Sequence, residues 1–145
     1  MRNAALALCV ILAATGCAAS SRAPEFLPAP GGPARPFSPA VRANGFIFLA
    51  GQLGTDTTGR LVAGGIRAET RQALENIRGV LQRAGSSLDR VVKCTVYLAD
   101  MGEWGTMNEV YTTFFTAGRF PARTAAGANG LALNARVEIE CVAAQ

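Results

Sequence analysis

The chain has 145 residues, with 14 Lys+Arg, 10 Asp+Glu, four Cys and no His, and half of it is apolar. That length holds one domain, and the composition is too apolar for a disordered chain. The formal charge of +4 is spread without a basic block or a basic helical stripe, so nucleic acid is not expected as a partner. The missing histidine excludes Ser-His-Asp and Cys-His catalysis, histidine metal sites and the usual near-neutral base. Any proton transfer must run through a carboxylate, Tyr, Cys, Lys, the backbone or water.

Residues 1–16 read as a secretory signal. Arg2 supplies the positive start, and residues 4–14 form an uncharged apolar stretch too short to span a bilayer. It ends Ala14-Thr15-Gly16-Cys17, which resembles the lipobox of bacterial lipoproteins; the alternative is an ordinary cleaved signal with a chance cysteine. The resemblance implies that Cys17 becomes the lipidated first residue, anchoring the protein on the periplasmic side of the envelope. The absence of Asp at position 18 fits the outer membrane better than the inner. Residues 17–36 are rich in Pro, Ala, Gly and Ser and read as a tether, with the domain in residues 37–145. Cys94 and Cys141 remain in that domain. Both fall in strand-like runs, where a small buried hydrophobe is the simpler reading. A bridge between them depends on geometry the sequence does not supply.

A short strand is expected over residues 37–41 and a strong one over 46–50, joined by the hairpin signal Asn44-Gly45. Over residues 66–84 the apolar positions Ile66, Thr70, Ala73, Leu74, Ile77, Val80 and Leu81 follow helical spacing, with Gly85 as the stop. Residues 89–98 are rich in β-branched side chains and read as a strand. Residues 101–117 form a second helix candidate with Asp100 at its cap, one side carrying Trp104, Met107, Val110, Tyr111 and Phe114. An extended segment begins at Pro121. A last strand over residues 136–142 places Val137, Ile139 and Cys141 on one face and Glu138 and Glu140 on the other. The order describes an α+β two-layer domain, one mixed sheet with two helices on a single face. The sheet's other face mixes polar and apolar residues and suits a polar subunit interface.

Several stretches in this order resemble the RidA/YjgF family of reactive-intermediate (imine) deaminases: Ala50-Gly51-Gln52, Thr70-Arg71-Gln72-Ala73-Leu74-Glu75-Asn76, Val92-Lys93-Cys94-Thr95-Val96-Tyr97-Leu98, Met107-Asn108-Glu109-Val110-Tyr111, Phe120-Pro121-Ala122-Arg123 and Val137-Glu138-Ile139-Glu140. The resemblance implies a chorismate-mutase-like fold built of βαβ repeats and a homotrimer with a ligand cleft at each subunit interface. It also implies cofactor-free hydrolysis of small 2-imino or 2-enamino acids to 2-keto acids and ammonia.

By the same resemblance Arg123 holds the substrate carboxylate and Glu138 orients the attacking water. The Gly51 N–H and Asn108 line the pocket, and the carbonyl of Ala125 helps to hold the water. A guanidinium suits the first role because it offers two parallel donors to a carboxylate and stays charged. A carboxylate suits the second because it can take a proton from water and return it to the leaving nitrogen. Arg123 read without the family is a surface ion-pair partner, and Glu138 a solvated carboxylate or a partner for Arg136. Ala40, Ala50 and Ala125 stand where the family often carries Tyr, Ser and Cys. They support the alternative of a trimeric lipoprotein that binds small carboxylates without turnover. Tyr97 and Tyr111 read as packing residues. No metal site is expected, because two thiols without His are a poor zinc set.

Overall fold

The computed structural model describes residues 23–29, 31 and 36–145; the signal segment, Cys9 and Cys17 lie outside them. Seven strands form one mixed sheet: β1 (Glu25–Leu27), β2 (Ala40–Ala43), β3 (Phe46–Leu49), β4 (Gln52–Leu53), β5 (Val91–Leu98), β6 (Ala122–Gly127) and β7 (Val137–Ala144). Their order is β1-β2-β3-β7-β5-β6, with β4 also pairing with β7. Only the β5–β6 pair is parallel among these strands. The helices α1 (Gly65–Arg83) and α2 (Trp104–Tyr111) cover one face. This is the expected two-layer α+β architecture.

Local chemistry explains most boundaries. Asn44 and Gly45 both hold positive φ, 48° and 81°, as a two-residue hairpin between β2 and β3 requires. The apolar stripe of α1 is buried as its spacing predicts, from Ile66 through Leu81. Gly85 takes φ 70° and donates its N–H to the Gln82 carbonyl, while the Ser86 N–H bonds to that of Leu81. These bonds close the helix. Between β5 and β7 the buried residues Cys94, Val96, Leu98, Val137, Ile139 and Cys141 alternate with half-buried ones, so the core lies between this face and the helices.

Four expectations change. Glu25–Leu27, inside the stretch read as a tether, is an edge strand registered Glu25↔Arg42, Phe26↔Val41 and Leu27↔Ala40. Leu27 packs on the core and Glu25 accepts a hydrogen bond from Arg42 at 2.8 Å. Proline flanks are tolerated there because an edge strand leaves one side unpaired. The strand expected over residues 37–41 begins instead at Ala40, after Pro39. The second helix is shorter than residues 101–117. A 3-10 turn over Met101–Glu103 precedes α2, and another over Thr112–Phe114 follows it. Thr112 and Thr113 turn their hydroxyls back onto the carbonyls of Asn108 and Val110, a competition that loosens helical geometry. Finally, Cys94 and Cys141 are not free. They face each other across β5 and β7 with Cα atoms 4.1 Å apart and form a disulfide.

Candidate active site

Strand β6 and helix α2 build the first half of the site. Arg123 pairs laterally with Cys94, and Ala125 with Val96. Direct neighbours in a sheet share a face, so Arg123 and Ala125 lie on the helix side. The Arg123 guanidinium carbon sits 4.5 Å from the Tyr111 ring centroid and 6.0 Å from that of Trp104. It has no carboxylate partner among the described residues, whereas Arg42, Arg67, Arg78 and Arg136 all do. A cation held on aromatic faces without a counter-ion is poised for an anionic ligand. Beside it lies a cleft of about 390 Å³, lined by Asn108, Tyr111, Thr112, Phe120, Pro121 and Arg123.

Asn108 and Tyr111, three apart on α2, present one face to that cleft. The Asn108 Oδ1 and the Tyr111 hydroxyl are both buried without a hydrogen-bond partner. Burial pushes ionisation of the Tyr111 phenol up to about 12, against the opposing pull of Arg123. The phenol is therefore neutral throughout the working range. Tyr111 packs, as its apolar neighbours suggested, but it is also the surface on which Arg123 lies. Its companion Trp104 is 43% exposed and leaves the buried stripe of α2 to stand near Arg123.

The second half lies on the other face. Glu138 alternates with the core residues Val137 and Ile139 and is registered with Tyr97 on β5 and Leu53 on β4. Its carboxylate occupies the space a side chain at residue 51 would take. A Cβ built on Gly51 would stand 2.0 Å from Glu138 Oε1. Arg136, the alternative partner for Glu138, is instead bound by Glu103 through its Nε and Nη2. Glu138 keeps both oxygens free of protein donors among the described residues.

One chain therefore brings Arg123 and Asn108 to one cleft, with Ala125 two residues along on the same strand face but packed on the core, and separately Gly51 with Glu138. The sheet stands between the two groups. Ala40 belongs to neither. It is 1% exposed within the core and registered with Leu49 and Leu27, so its small side chain does not widen a cleft in this chain. Ala50 donates its N–H to the Pro39 carbonyl. The sequence reading missed the aromatic seat of Arg123 and the partners of Gln52. The signal for the latter was present in Ala50-Gly51-Gln52. No group of three or more Cys, Asp or Glu that could hold a metal occurs among the described residues.

Comparison with known proteins bears on this arrangement. A family model described as Endoribonuclease L-PSP matches residues 28–145. A RutC family protein of Pyrococcus horikoshii is 46% identical over 112 residues, covering 77% of this chain and 88% of its own length. The mouse protein named 2-iminobutanoate/2-iminopropanoate deaminase is 46% identical over 111 residues, covering 76% of this chain and 82% of its own. The crystal structure of a Rid family protein of unknown function from Yersinia pestis superposes with a TM-score of 0.79 at 32% identity, covering 85% of this chain and all of that one.

Proposed function

Because the chain belongs to the Endoribonuclease L-PSP family, which includes the RidA/YjgF deaminases, we propose that it hydrolyses small 2-imino acids to 2-keto acids and ammonia. The observation that carries this reading is the uncompensated Arg123 guanidinium on the wall of a small cleft. A 2-imino acid offers a carboxylate for it, and its imine carbon is already electrophilic, so no cofactor is required. Arg123 holds the carboxylate by two parallel hydrogen bonds. The Gly51 N–H adds a third, and Asn108 lines the imine end. Glu138 takes a proton from water as the water oxygen bonds to the imine carbon, assisted by the Ala125 carbonyl. The proton returns to nitrogen and gives a carbinolamine. Its hydroxyl proton then passes through the Glu138 carboxylate to the same nitrogen as the C=O bond forms and the C–N bond breaks, so ammonia leaves and the keto acid remains.

This scheme needs Arg123 from one copy and Glu138 with Gly51 from another, because one sheet separates them. A homotrimer with a site at each subunit junction meets that need. The open sheet face supports it: Phe46 and Phe48 are 42% and 46% exposed there, with Phe48 and Glu140 lining one shallow depression. Ribonuclease chemistry is a poorer fit, since the chain has no histidine and its cleft holds one cation.

Export and lipidation at Cys17 are part of the same proposal. The signal-like start supports them, as does the Cys94–Cys141 disulfide, a bond characteristic of oxidising compartments. Cys17→Ser is expected to release the protein from membranes.

The deciding experiment follows keto-acid release from freshly generated imino acids, with Arg123→Ala beside the wild type. Acceleration lost in the variant supports the deaminase. Binding of 2-oxobutanoate without acceleration of any imine identifies a carboxylate-binding protein on the deaminase scaffold.

A further inference from the structure

The segment that carries Gly51 departs from regular strand pairing. β3 and β4 both pair with β7, yet Phe48↔Val142 and Gln52↔Ile139 are four residues apart on one side and three on the other. One extra residue is therefore inserted at Ala50–Gly51. Such bulges bend a strand and re-aim what it carries, and they strip the local carbonyls of ladder partners. Here the Gln52 side chain takes both. Its Nε2 donates to the Ala50 carbonyl at 2.9 Å and to the Gly51 carbonyl at 3.1 Å. Further along, Asn76 Nδ2 on α1 donates to the carbonyls of Leu53 and Thr55, so the far end of the segment is fixed independently.

Gln52 is registered with core-facing Ile139, so it acts from the helix side of the sheet. The Ala50 carbonyl and the Gly51 N–H belong to one trans peptide and point in opposite directions. Holding the carbonyl toward Gln52 turns the N–H away from it. That N–H has no acceptor among the described residues. Beside it the bare Gly51 Cα receives the Glu138 carboxylate.

We infer that Gln52 is a positioning residue: by gripping the carbonyls of Ala50 and Gly51 it sets the bulge that presents the Gly51 N–H to the substrate carboxylate and seats Glu138 beside it. The inference rests on the deaminase reading for its substrate, but the grip itself is independent of turnover.

The test uses the full chain with Gln52→Glu and Gln52→Met, which keep the length of the side chain and remove its donors. Three readouts are taken: kcat and KM for an imino acid, Kd for 2-oxobutanoate, and the response of the 15N-labelled Gly51 amide to that keto acid. In the wild type the Gly51 amide is expected to shift on titration. In both variants KM and Kd are expected to rise about ten-fold, the size of one well-placed hydrogen bond to a charged group, and the Gly51 amide to exchange faster with solvent while the Asn76 side-chain amide is unchanged. Variants that bind within two-fold of the wild type overturn the inference. So does a wild-type Gly51 amide that ignores saturating 2-oxobutanoate, a measurement that needs no variant to fold. A wild type without turnover whose keto-acid binding still depends on Gln52 overturns the deaminase reading and leaves the positioning role standing.

Discussion

Cys94 stands in register with Arg123 on one side and is bonded to Cys141 on the other, so the disulfide links the two long central strands immediately beside the strand that carries Arg123. The bond closes a segment of 47 residues. Restriction of the unfolded chain by a loop of that length is worth about 4 kcal/mol. Reduction, or the double change Cys94→Ala with Cys141→Ala, is expected to lower unfolding free energy by about 2–5 kcal/mol. Denaturant titrations with and without dithiothreitol measure it. Equal midpoints for the two forms would show that the bridge contributes nothing.

Tyr111 supports Arg123 through its ring, while its hydroxyl bonds to nothing among the described residues. Tyr111→Phe is therefore expected to leave stability unchanged or slightly raised, since an unpartnered buried hydroxyl costs free energy. Tyr111→Leu removes the face on which the guanidinium lies and is expected to raise Kd for 2-oxobutanoate by about 3- to 30-fold. Calorimetry and thermal melts on the two variants separate ring from hydroxyl.

Tyr111 also imposes a pH dependence. Its folded-state pKa stands at about 12, raised by burial from the usual 10.0. The folded protein keeps the phenol proton at pH values where the unfolded chain releases it. Stability from this group is complete below pH 10 and is lost as the pH climbs toward 12. Tyr111→Phe is expected to flatten the fall relative to the wild type in that window, as read by unfolding titrations at stepped alkaline pH.

The α1 stripe and the alternation in β7 were legible because each element's own period carries its burial pattern. Three features were not legible, all for non-local reasons. Glu25–Leu27 is a strand only because Arg42 and Ala40 lie beside it. The Cys94–Cys141 bond depends on the register of β5 against β7, set by residues 47 positions apart. The separation of Arg123 from Glu138 follows from the parallel pairing of β6 with β5, which no spacing within Phe120-Pro121-Ala122-Arg123 reveals. Ala40 is buried in the core by its register with Leu49, a placement that depends on pairing across the hairpin and not on the residue's own neighbours in sequence.

Gly51 is required for want of a side chain. The methyl of Gly51→Ala falls on the Glu138 carboxylate, which must swing away. Turnover is expected to fall by about ten- to a hundred-fold, part of the 10²–10⁴-fold typical of a lost general base, with Kd for 2-oxobutanoate changed far less. In a Glu138→Ala background the same substitution is expected to cost almost nothing more, because both changes remove one group. Additive losses would show that Gly51 acts independently of Glu138.

The proposed two-copy site predicts complementation. Arg123→Ala retains the Glu138 half and Glu138→Ala retains the Arg123 half, so each homo-oligomer lacks one half at every site. After the two inactive proteins are unfolded, mixed in equal amounts and refolded together, a junction is complete only where an intact Arg123 meets an intact Glu138 from the neighbouring copy. Random assembly in a cyclic oligomer makes that about a quarter of junctions, so about a quarter of wild-type turnover is expected from the mixture and none from either variant alone. Mixing folded proteins without exchange of subunits is expected to give none, which controls for contamination. A co-refolded mixture as silent as its components would place both groups at a site within one chain and overturn the two-copy arrangement.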